Sequence, residues 1–287
     1  MIEKKNILGV GITNGTKEEI LEYIVKNLEN FKKKLFFVTP NPEFLILANK
    51  NKDFKNILNR ADLASADGIG IIIAAKFLGK SLKGRFTGID LVESLCKEVA
   101  RKPITVGFLG GRDGVAEKTA ECLQKKYFGL KVNFVGEEWP NAEKARQPRV
   151  SYDAALQKFE NKSLNSASLS KSRLQSETKP TFSSSENGLP RFVDILFVAF
   201  GAPKQEMWIN ENLDKIPVKI AIGVGGAFDY ISGRTPRAPE FLRSMGLEWL
   251  FRLILQPWRI KRQLSLVKFI WLVFKEKLNK SDILLYL

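Results

Sequence analysis

The sequence predicts an α/β protein with a mainly parallel sheet flanked by helices and a basic helical C-terminal appendage. Three observations support this. Short apolar runs rich in β-branched and aromatic residues alternate with segments of helical spacing. Glycines cluster where several of the apolar runs end, and the composition changes after Gly233. Alternating strands and helices favour a parallel, Rossmann-like sheet.

The predicted strands are short apolar runs without helical periodicity. They lie at residues 34–39, 104–109, 131–136, 194–200 and 218–224. The segments between them space their apolar residues as amphipathic helices do. The predicted helices are Thr16 to Phe31, Pro42 to Arg60, Gly68 to Leu78, Ile89 to Arg101, Asp113 to Phe128 and Pro203 to Leu213.

Two regions depart from the alternation and set the predicted domain limits. Residues 141–190 are dominated by Ser, Lys, Asn and Thr, which predicts a disordered insertion in an α/β domain covering residues 1–233. A regulatory or docking segment is the alternative. Residues 234–287 carry 11 Lys and Arg against 4 Asp and Glu. We expect this appendage to face a membrane as a basic amphipathic helix, or else to pack on the core or on a sister subunit.

Composition narrows the classes of partner and chemistry. The 46 Lys and Arg against 31 Asp and Glu give a net charge of +15, which favours nucleic acid, anionic lipid or phosphorylated substrates. Histidine is absent, so proton transfer falls to Asp, Glu, Lys, Tyr or Cys.

Location is predicted from three further features of the sequence. The two cysteines, Cys96 and Cys122, lie in predicted helices and indicate neither a disulfide framework nor a metal cluster. The first residues have no secretion-signal pattern. The apolar stretch Phe269 to Phe274 is much shorter than the roughly 20 residues that span a bilayer. We therefore expect a cytoplasmic protein.

Polar residues at predicted strand ends are the candidates for chemistry, because ligands of open α/β sheets bind there. Asp67 follows an apolar stretch, where desolvation raises the pKa of a carboxyl group, although it could simply cap the next helix. Thr39 and Asn41 could likewise cap a helix or bind a sugar or nucleotide. Arg85 precedes a helix start and is a weak phosphate signal.

The glycine clusters admit two interpretations. Gly110, Gly201 and Gly225 let a ligand approach the backbone closely, or they only permit tight turns. The blocks FGAPKQE and GVGGAFD add polar side chains beside these glycines. Neither block has the Lys-Ser or Lys-Thr pair that follows the glycines of a nucleotide-hydrolysing loop.

Seven blocks considered together resemble the WecG/TagA/CpsF family of bacterial glycosyltransferases. They are TPNPE, ADGIG, GRFTGID, FGAPKQE, GVGGAFD, RAPEFLRSMGLEWLFRL and QPWRIKR, and the resemblance runs from about Asn6 to about Phe274. It implies an inverting transfer of N-acetylmannosamine or a related amino sugar from a UDP donor. The implied acceptor is the 4-hydroxyl of N-acetylglucosaminyl-diphospho-undecaprenol, in teichoic acid, capsule or exopolysaccharide precursor synthesis.

The resemblance also implies roles for individual residues. Asp67 matches the catalytic base, Thr39 and Asn41 match positions that orient the substrates, and Arg85 is the candidate for the donor diphosphate. Donor binding is assigned to Gly110, Gly201, Gln205, Glu206, Gly225 and Asp229. The acceptor diphosphate or anionic lipid is assigned to Arg237, Arg252, Arg259 and Arg262.

Cofactors and partners complete these expectations. Because the sequence has no Asp-x-Asp motif, we expect no metal and no other cofactor. The expected partners are the UDP-sugar, the polyprenyl-diphosphate acceptor and the inner face of the cell membrane, with homo-oligomers implied by relatives. A nucleic-acid-binding basic protein and an inactive scaffold for lipid intermediates are the alternatives. The sequence does not identify the donor sugar or the polymer pathway.

Overall fold

The computed structural model describes residues 2–140, 192–257 and 260–285, and within the last range it does not describe the side chains of 261–263 and 280–285. Its centre is a six-stranded, fully parallel sheet in the order β4-β3-β8-β7-β5-β6, beside a two-stranded antiparallel hairpin of β1 and β2. The strands are β1 Lys4–Ile7, β2 Val10–Thr13, β3 Leu35–Val38, β4 Leu63–Ala64, β5 Thr105–Gly110, β6 Lys131–Gly136, β7 Val193–Ala199 and β8 Val218–Gly223.

Helices connect and cover the strands. In chain order they are α1 Lys17–Glu29, α2 Pro42–Lys50, α3 Lys52–Arg60, α4 Ile69–Phe77, α5 Gly88–Val99, α6 Val115–Lys126, α7 Lys204–Asn212, α8 Ala227–Ile231, α9 Glu240–Ser244, α10 Glu248–Leu255 and α11 Ile260–Leu285. A short 3-10 helix covers Leu213–Lys215. The α/β, Rossmann-like class predicted from the sequence is confirmed.

The central strands are apolar because helices cover both faces of the sheet. β3 is buried along its whole length, and all but the last residue of β7 are buried. Beneath one face, the Phe108 ring stacks on Phe197 at 5.6 Å between centroids and meets the edge of Phe228 at 5.7 Å. This packing holds the carboxyl ends of the inner strands in fixed positions.

The five predicted strands are all present, with ends shifted by at most one residue. The predicted helix from Pro42 to Arg60 is wrong in its continuity: it divides at Asn51, whose Oδ1 accepts from the Phe54 N–H at 3.0 Å and starts α3. The β1-β2 hairpin was missed because Gly9 and Gly11 interrupt the apolar pattern. The chain reverses there through Leu8 and Gly9, both at positive φ.

The C-terminal segment has an inner and an outer face. Phe269, Leu272 and Val273 of α11 are buried, and α11 packs on α2 and α4. The Leu8 N–H also donates to the Glu276 carboxylate at 3.0 Å. Packing on the core, one of the two alternatives for this segment, therefore holds for its inner face.

The outer face of α11 is apolar and exposed. It presents Val267, Ile270, Trp271 and Phe274. None of the described helices combines the length and apolar character needed to cross a bilayer. A membrane role for this face stays a prediction, as do the domain limits at 233 and 234. The insertion predicted at 141–190 lies outside the described residues.

Candidate active site

Two adjoining cavities open at the carboxyl edge of the sheet. The polar cavity, of about 410 Å³, lies where β3, β7 and β8 end and is lined by Thr39, Gly201, Gln205, Gly225 and Asp229 among others. The apolar cavity, of about 580 Å³, lies between α4, α10 and α11. Both are within the size range of substrate pockets. Their shared lining consists of Asn41, Glu43, Asp67, Val224, Gly226 and Arg252.

Of the acidic residues in this shared lining, Asp67 is the best candidate for a general base. Its N–H donates to the Pro40 carbonyl at 2.8 Å, which fixes the backbone after β4. Its carboxylate accepts from the Gly88 N–H at the start of α5. The residue that caps α4 is Gly68, so Asp67 does not serve as that helix cap.

The pKa of Asp67 is raised to about 7, first by burial and then by the negative charges of Glu248 and Asp90, while the Gly88 hydrogen bond and the Arg85 charge act in the opposite direction. A carboxyl group with this pKa is a stronger base than an ordinary aspartate, yet it is still partly ionised at neutral pH. Asp67 can therefore take a proton from a substrate that reaches it from either cavity.

Thr39 and Asn41 hold the end of β3 and the start of α2. The buried Thr39 hydroxyl donates to the Gly223 carbonyl at 3.0 Å, which ties β3 to β8. Asn41 Oδ1 accepts from the N–H groups of Glu43 at 2.9 Å and Phe44 at 3.2 Å. Capping is thus present, and both residues also line the polar cavity.

Gln205 joins the two loops that floor the polar cavity. Its Oε1 accepts from the Gly201 N–H at 3.1 Å and from the Gly225 N–H at 3.0 Å. Its Nε2 donates to Glu206 Oε1 at 2.6 Å. The two glycine amides already have a partner, so their assignment to a donor diphosphate stays a prediction.

Glu206 lies behind the polar cavity rather than in its lining. It is 0% exposed, and burial raises its pKa to about 7. Gly110 also lies behind the lining: a Cβ there would come within 2.9 Å of the Ala199 carbonyl carbon, so glycine permits close packing of β5 on β7. Asp229 faces the polar cavity. Donor contacts by these three residues remain untested.

The predicted arginines occupy different places. Arg85 lines the apolar cavity, and its Nη2 donates to the Arg243 carbonyl at 2.6 Å. Arg252 lines both cavities and stacks over Tyr230, with its Cζ 4.9 Å from the ring centroid. Arg252 Nε is buried and has no hydrogen-bond partner among the described residues.

Arg237 is placed apart from both cavities, in a cluster of acids. It pairs with Asp90 at 2.5 Å, Glu248 at 3.6 Å and Glu93 at 3.7 Å. Its charge is therefore already shared among carboxylates. Arg259 lies outside the described residues, and Arg262 belongs to α11 with an undescribed side chain.

Sequence reasoning missed three contributors to the site. Glu248 begins α10 and lines the apolar cavity, Tyr230 supports Arg252, and the Gly88 N–H binds Asp67. Glu248 stands inside the block RAPEFLRSMGLEWLFRL and is the acidic first residue of a mainly apolar helix. That position was the available signal.

Metal chemistry has no ready-made centre in the part of the chain that is described, where no group of three or more Cys, Asp or Glu residues is placed to hold an ion. The expectation that the reaction needs no metal stays a prediction.

Both cysteines are free, and burial raises the pKa of Cys96.

A parallel sheet with a carboxyl group between two cavities at its carboxyl edge defines an α/β enzyme of the Rossmann-like class. Residues 5–151 and 192–283 match the glycosyl transferase WecG/TagA/CpsF family. The chain belongs to this family, as its seven sequence blocks predicted.

Curated relatives cover almost the whole chain. One from Bacillus spizizenii is 29% identical over 85% of this chain and 80% of its own length, and one from Bacillus subtilis is 26% identical over 98% and 94%. A relative from Staphylococcus aureus is 27% identical over 96% and 93%. Each is named an N-acetylglucosaminyldiphosphoundecaprenol N-acetyl-beta-D-mannosaminyltransferase.

Proposed function

We propose that this enzyme transfers N-acetylmannosamine, or a related amino sugar, from UDP to the 4-hydroxyl of N-acetylglucosaminyl-diphospho-undecaprenol. The names of its relatives support the acceptor and the sugar. The observation that carries the proposal is the position of Asp67 in the lining that the polar and apolar cavities share. The product would serve teichoic acid, capsule or exopolysaccharide precursor synthesis.

The two cavities suit the two substrates. A UDP-sugar is charged and rich in hydroxyl groups, which matches the polar side chains of Asn41, Asp229 and Arg252 in the lining of the polar cavity. A lipid-linked acceptor carries an isoprenoid chain. Covering this chain with apolar side chains such as Ile73, Phe269 and Ile270 removes apolar surface from water, which favours binding. The acceptor sugar then meets the donor beside Asp67.

The proposed reaction is a single displacement. The acceptor oxygen forms a bond to C1 of the donor sugar while the bond between C1 and the UDP oxygen breaks. UDP leaves with the electron pair, and Asp67 takes the proton of the acceptor hydroxyl. Attack from the side opposite UDP inverts the configuration at C1.

Charge on the departing diphosphate is offset by arginine in this proposal, without a metal or other cofactor. Arg252 lies in the shared lining with its Nε free of hydrogen bonds to described groups, and Arg85 lies nearby in the apolar cavity. A fixed guanidinium in a site that excludes water stabilises developing negative charge strongly.

Asp67→Asn tests the base. The amide keeps the shape but cannot accept the proton at the pKa of a carboxylate, so we expect kcat to fall about 100-fold to 10,000-fold. The assay uses UDP-N-acetylmannosamine and a short-chain lipid diphosphate acceptor, with product measured by mass spectrometry. UDP affinity, measured by calorimetry, is expected to stay within about twofold, because the UDP contacts remain.

The control for this test is Asp53→Asn, which removes an exposed carboxylate from α3 and should leave the rate unchanged. A normal rate in Asp67→Asn would mean that another group is the base. Assays with EDTA address the metal separately, and activity that disappears on chelation would contradict the proposal of charge offset by arginine alone.

We also propose that the enzyme works as a peripheral protein on the inner face of the cell membrane. The exposed apolar face of α11, with basic residues beside it, suits insertion among lipid headgroups. Replacing Val267 and Trp271 by Ser should reduce flotation with anionic liposomes, because these side chains are 67% and 57% exposed.

Phe128→Ser is the matched control for flotation, because Phe128 is 91% exposed but follows α6 in the sheet domain. Equal flotation of the wild type and the Val267/Trp271 variant would exclude these side chains from membrane binding.

A further inference from the structure

Glu248 brings a further carboxylate to the cavity that holds the proposed base, which Glu43 also lines. It is the first residue of α10 and lines the apolar cavity together with Asp67. Its Oε1 is buried and has no hydrogen-bond partner among the described residues. A buried carboxylate oxygen without a hydrogen bond is unfavourable unless it has another role or a nearby cation.

The nearest cation to Glu248 is incompletely paired with it. Arg237 Nε lies 3.6 Å from Glu248 Oε1, beyond a good hydrogen bond, and this nitrogen is itself buried without a hydrogen bond in the described part of the chain. The same guanidinium binds Asp90 at 2.5 Å and approaches Glu93 at 3.7 Å. One positive charge therefore serves three carboxylates, and of these only Asp90 receives a direct hydrogen bond from it, so Glu248 is held by charge attraction alone.

Charged groups reach the surroundings of Asp67 from several elements. Glu248 and Arg252 come from α10, Asp90 from α5, Glu43 from α2 and Arg85 from the segment before α5. Among the charged side chains, the negative charge of Glu248 is the largest influence on the pKa of Asp67, and it raises that pKa, whereas Arg85 lowers it. The cavity thus contains a charge of each sign with opposite effects on one carboxyl group.

We infer that Glu248 is a positioning residue for Asp67, which brings a buried carboxylate oxygen without a hydrogen bond from the C-terminal segment into the cavity that both residues line. The inference rests on the proposed function only in that Asp67 is there the base. Because Glu248 belongs to α10, its negative charge reaches the base from outside the sheet.

Glu248→Gln tests the inference on the full chain without substrate. The change keeps the shape and removes the charge, so the pKa of Asp67 is expected to fall by about half a unit to one unit. The pKa is read from the ¹³C resonance of the Asp67 carboxyl group in protein labelled at aspartate, with the signal assigned by its absence in Asp67→Asn. Glu248→Asp should restore most of the wild-type value.

Two companion variants separate charge from loosened packing. Glu240→Gln removes a carboxylate from α9 of the same segment, where it is exposed, and should leave the pKa of Asp67 unchanged. Arg85→Gln removes a cation and should raise that pKa. A loosened site would admit water and lower the pKa in both the Glu248 and Arg85 variants, so opposite shifts support the charge effect.

The outcomes distinguish this inference from the proposed function. An unchanged Asp67 resonance titration in Glu248→Gln, or shifts of the same sign in the Glu248 and Arg85 variants, overturns the role of Glu248 even if Asp67 is the base. In parallel, the rising limb of the plot of kcat/KM against pH should shift to lower pH in Glu248→Gln, by the same number of pH units as the pKa of Asp67. A shifted resonance with an unmoved rate profile supports Glu248 and removes Asp67 as the base.

Discussion

The two cavities are built differently. Backbone loops after β7 and β8, joined by Gln205, shape the polar cavity, and most of its lining belongs to the sheet domain. Side chains shape the apolar cavity, and α10 and α11 supply a large part of its wall. The difference shows that the polar cavity is formed mainly by the sheet and its loops, whereas the apolar cavity depends on the placement of the C-terminal segment. If the donor occupies the polar cavity, as we propose, the acceptor side is the one that the C-terminal segment completes.

Arg252 offers the strongest test of this division because it belongs to the C-terminal segment yet lines both cavities. Arg252→Gln should lower kcat about 100-fold to 1,000-fold, as loss of one well-placed group that stabilises transition-state charge does. Steady-state assays with both substrates varied would measure it. Arg234→Gln, at an exposed pair with Asp113, is the control and should have little effect.

The outcome of that test decides which cavity needs Arg252. A fall confined to kcat indicates a contact made mainly in the transition state. A rise confined to the KM for the acceptor would place Arg252 on the acceptor side alone and would contradict its proposed role with the departing UDP.

A smaller effect is expected at the apolar wall. Ile73 lines the apolar cavity from α4 and is 61% exposed, so Ile73→Ser removes apolar contact without opening the core. We expect the KM for a long-chain acceptor to rise about tenfold, while the KM for the donor stays unchanged. The corresponding loss of binding free energy is typical of losing part of one aliphatic contact.

Leu278→Ser is the matched control, because Leu278 is 62% exposed on α11 away from the cavity lining. Acceptors with one or two isoprene units should show a smaller difference between wild type and Ile73→Ser. A donor KM that rises equally would show that the two cavities are not separate in function.

The same contrast explains what the sequence could predict. The sheet was predictable because apolar runs such as 194–200 are buried on both faces, and Asp67 stood out as an acid between apolar stretches. The hydrogen bonds from the N–H groups of Gly201 and Gly225 to Gln205 could not be predicted, because only the tertiary structure brings these two loops to one side chain. Arg237 illustrates the limit most clearly. Its charge suggested a phosphate ligand, but packing places it among Asp90, Glu93 and Glu248.

The smallest expected effect concerns the support behind the polar cavity. Glu206 is fully buried and its pKa is raised from 4.5 to about 7. The folded state therefore binds a proton that the unfolded state releases between these two values, so this group lowers the free energy of unfolding as pH rises from about 4.5 to 7. Glu206→Gln, which stays neutral, should remove this pH dependence.

At pH 8 the Glu206→Gln variant should be more stable than wild type by about 1–3 kcal/mol, and at pH 4.5 the two should be nearly equal. Urea unfolding at both pH values measures the difference, and comparing the two proteins at each pH cancels the titration of every other group. Glu211→Gln, in the same helix but exposed, should show no such change. A variant that is less stable at pH 8 would mean that the ionised Glu206 carboxylate holds Gln205, and with it both glycine loops, more firmly than burial opposes it.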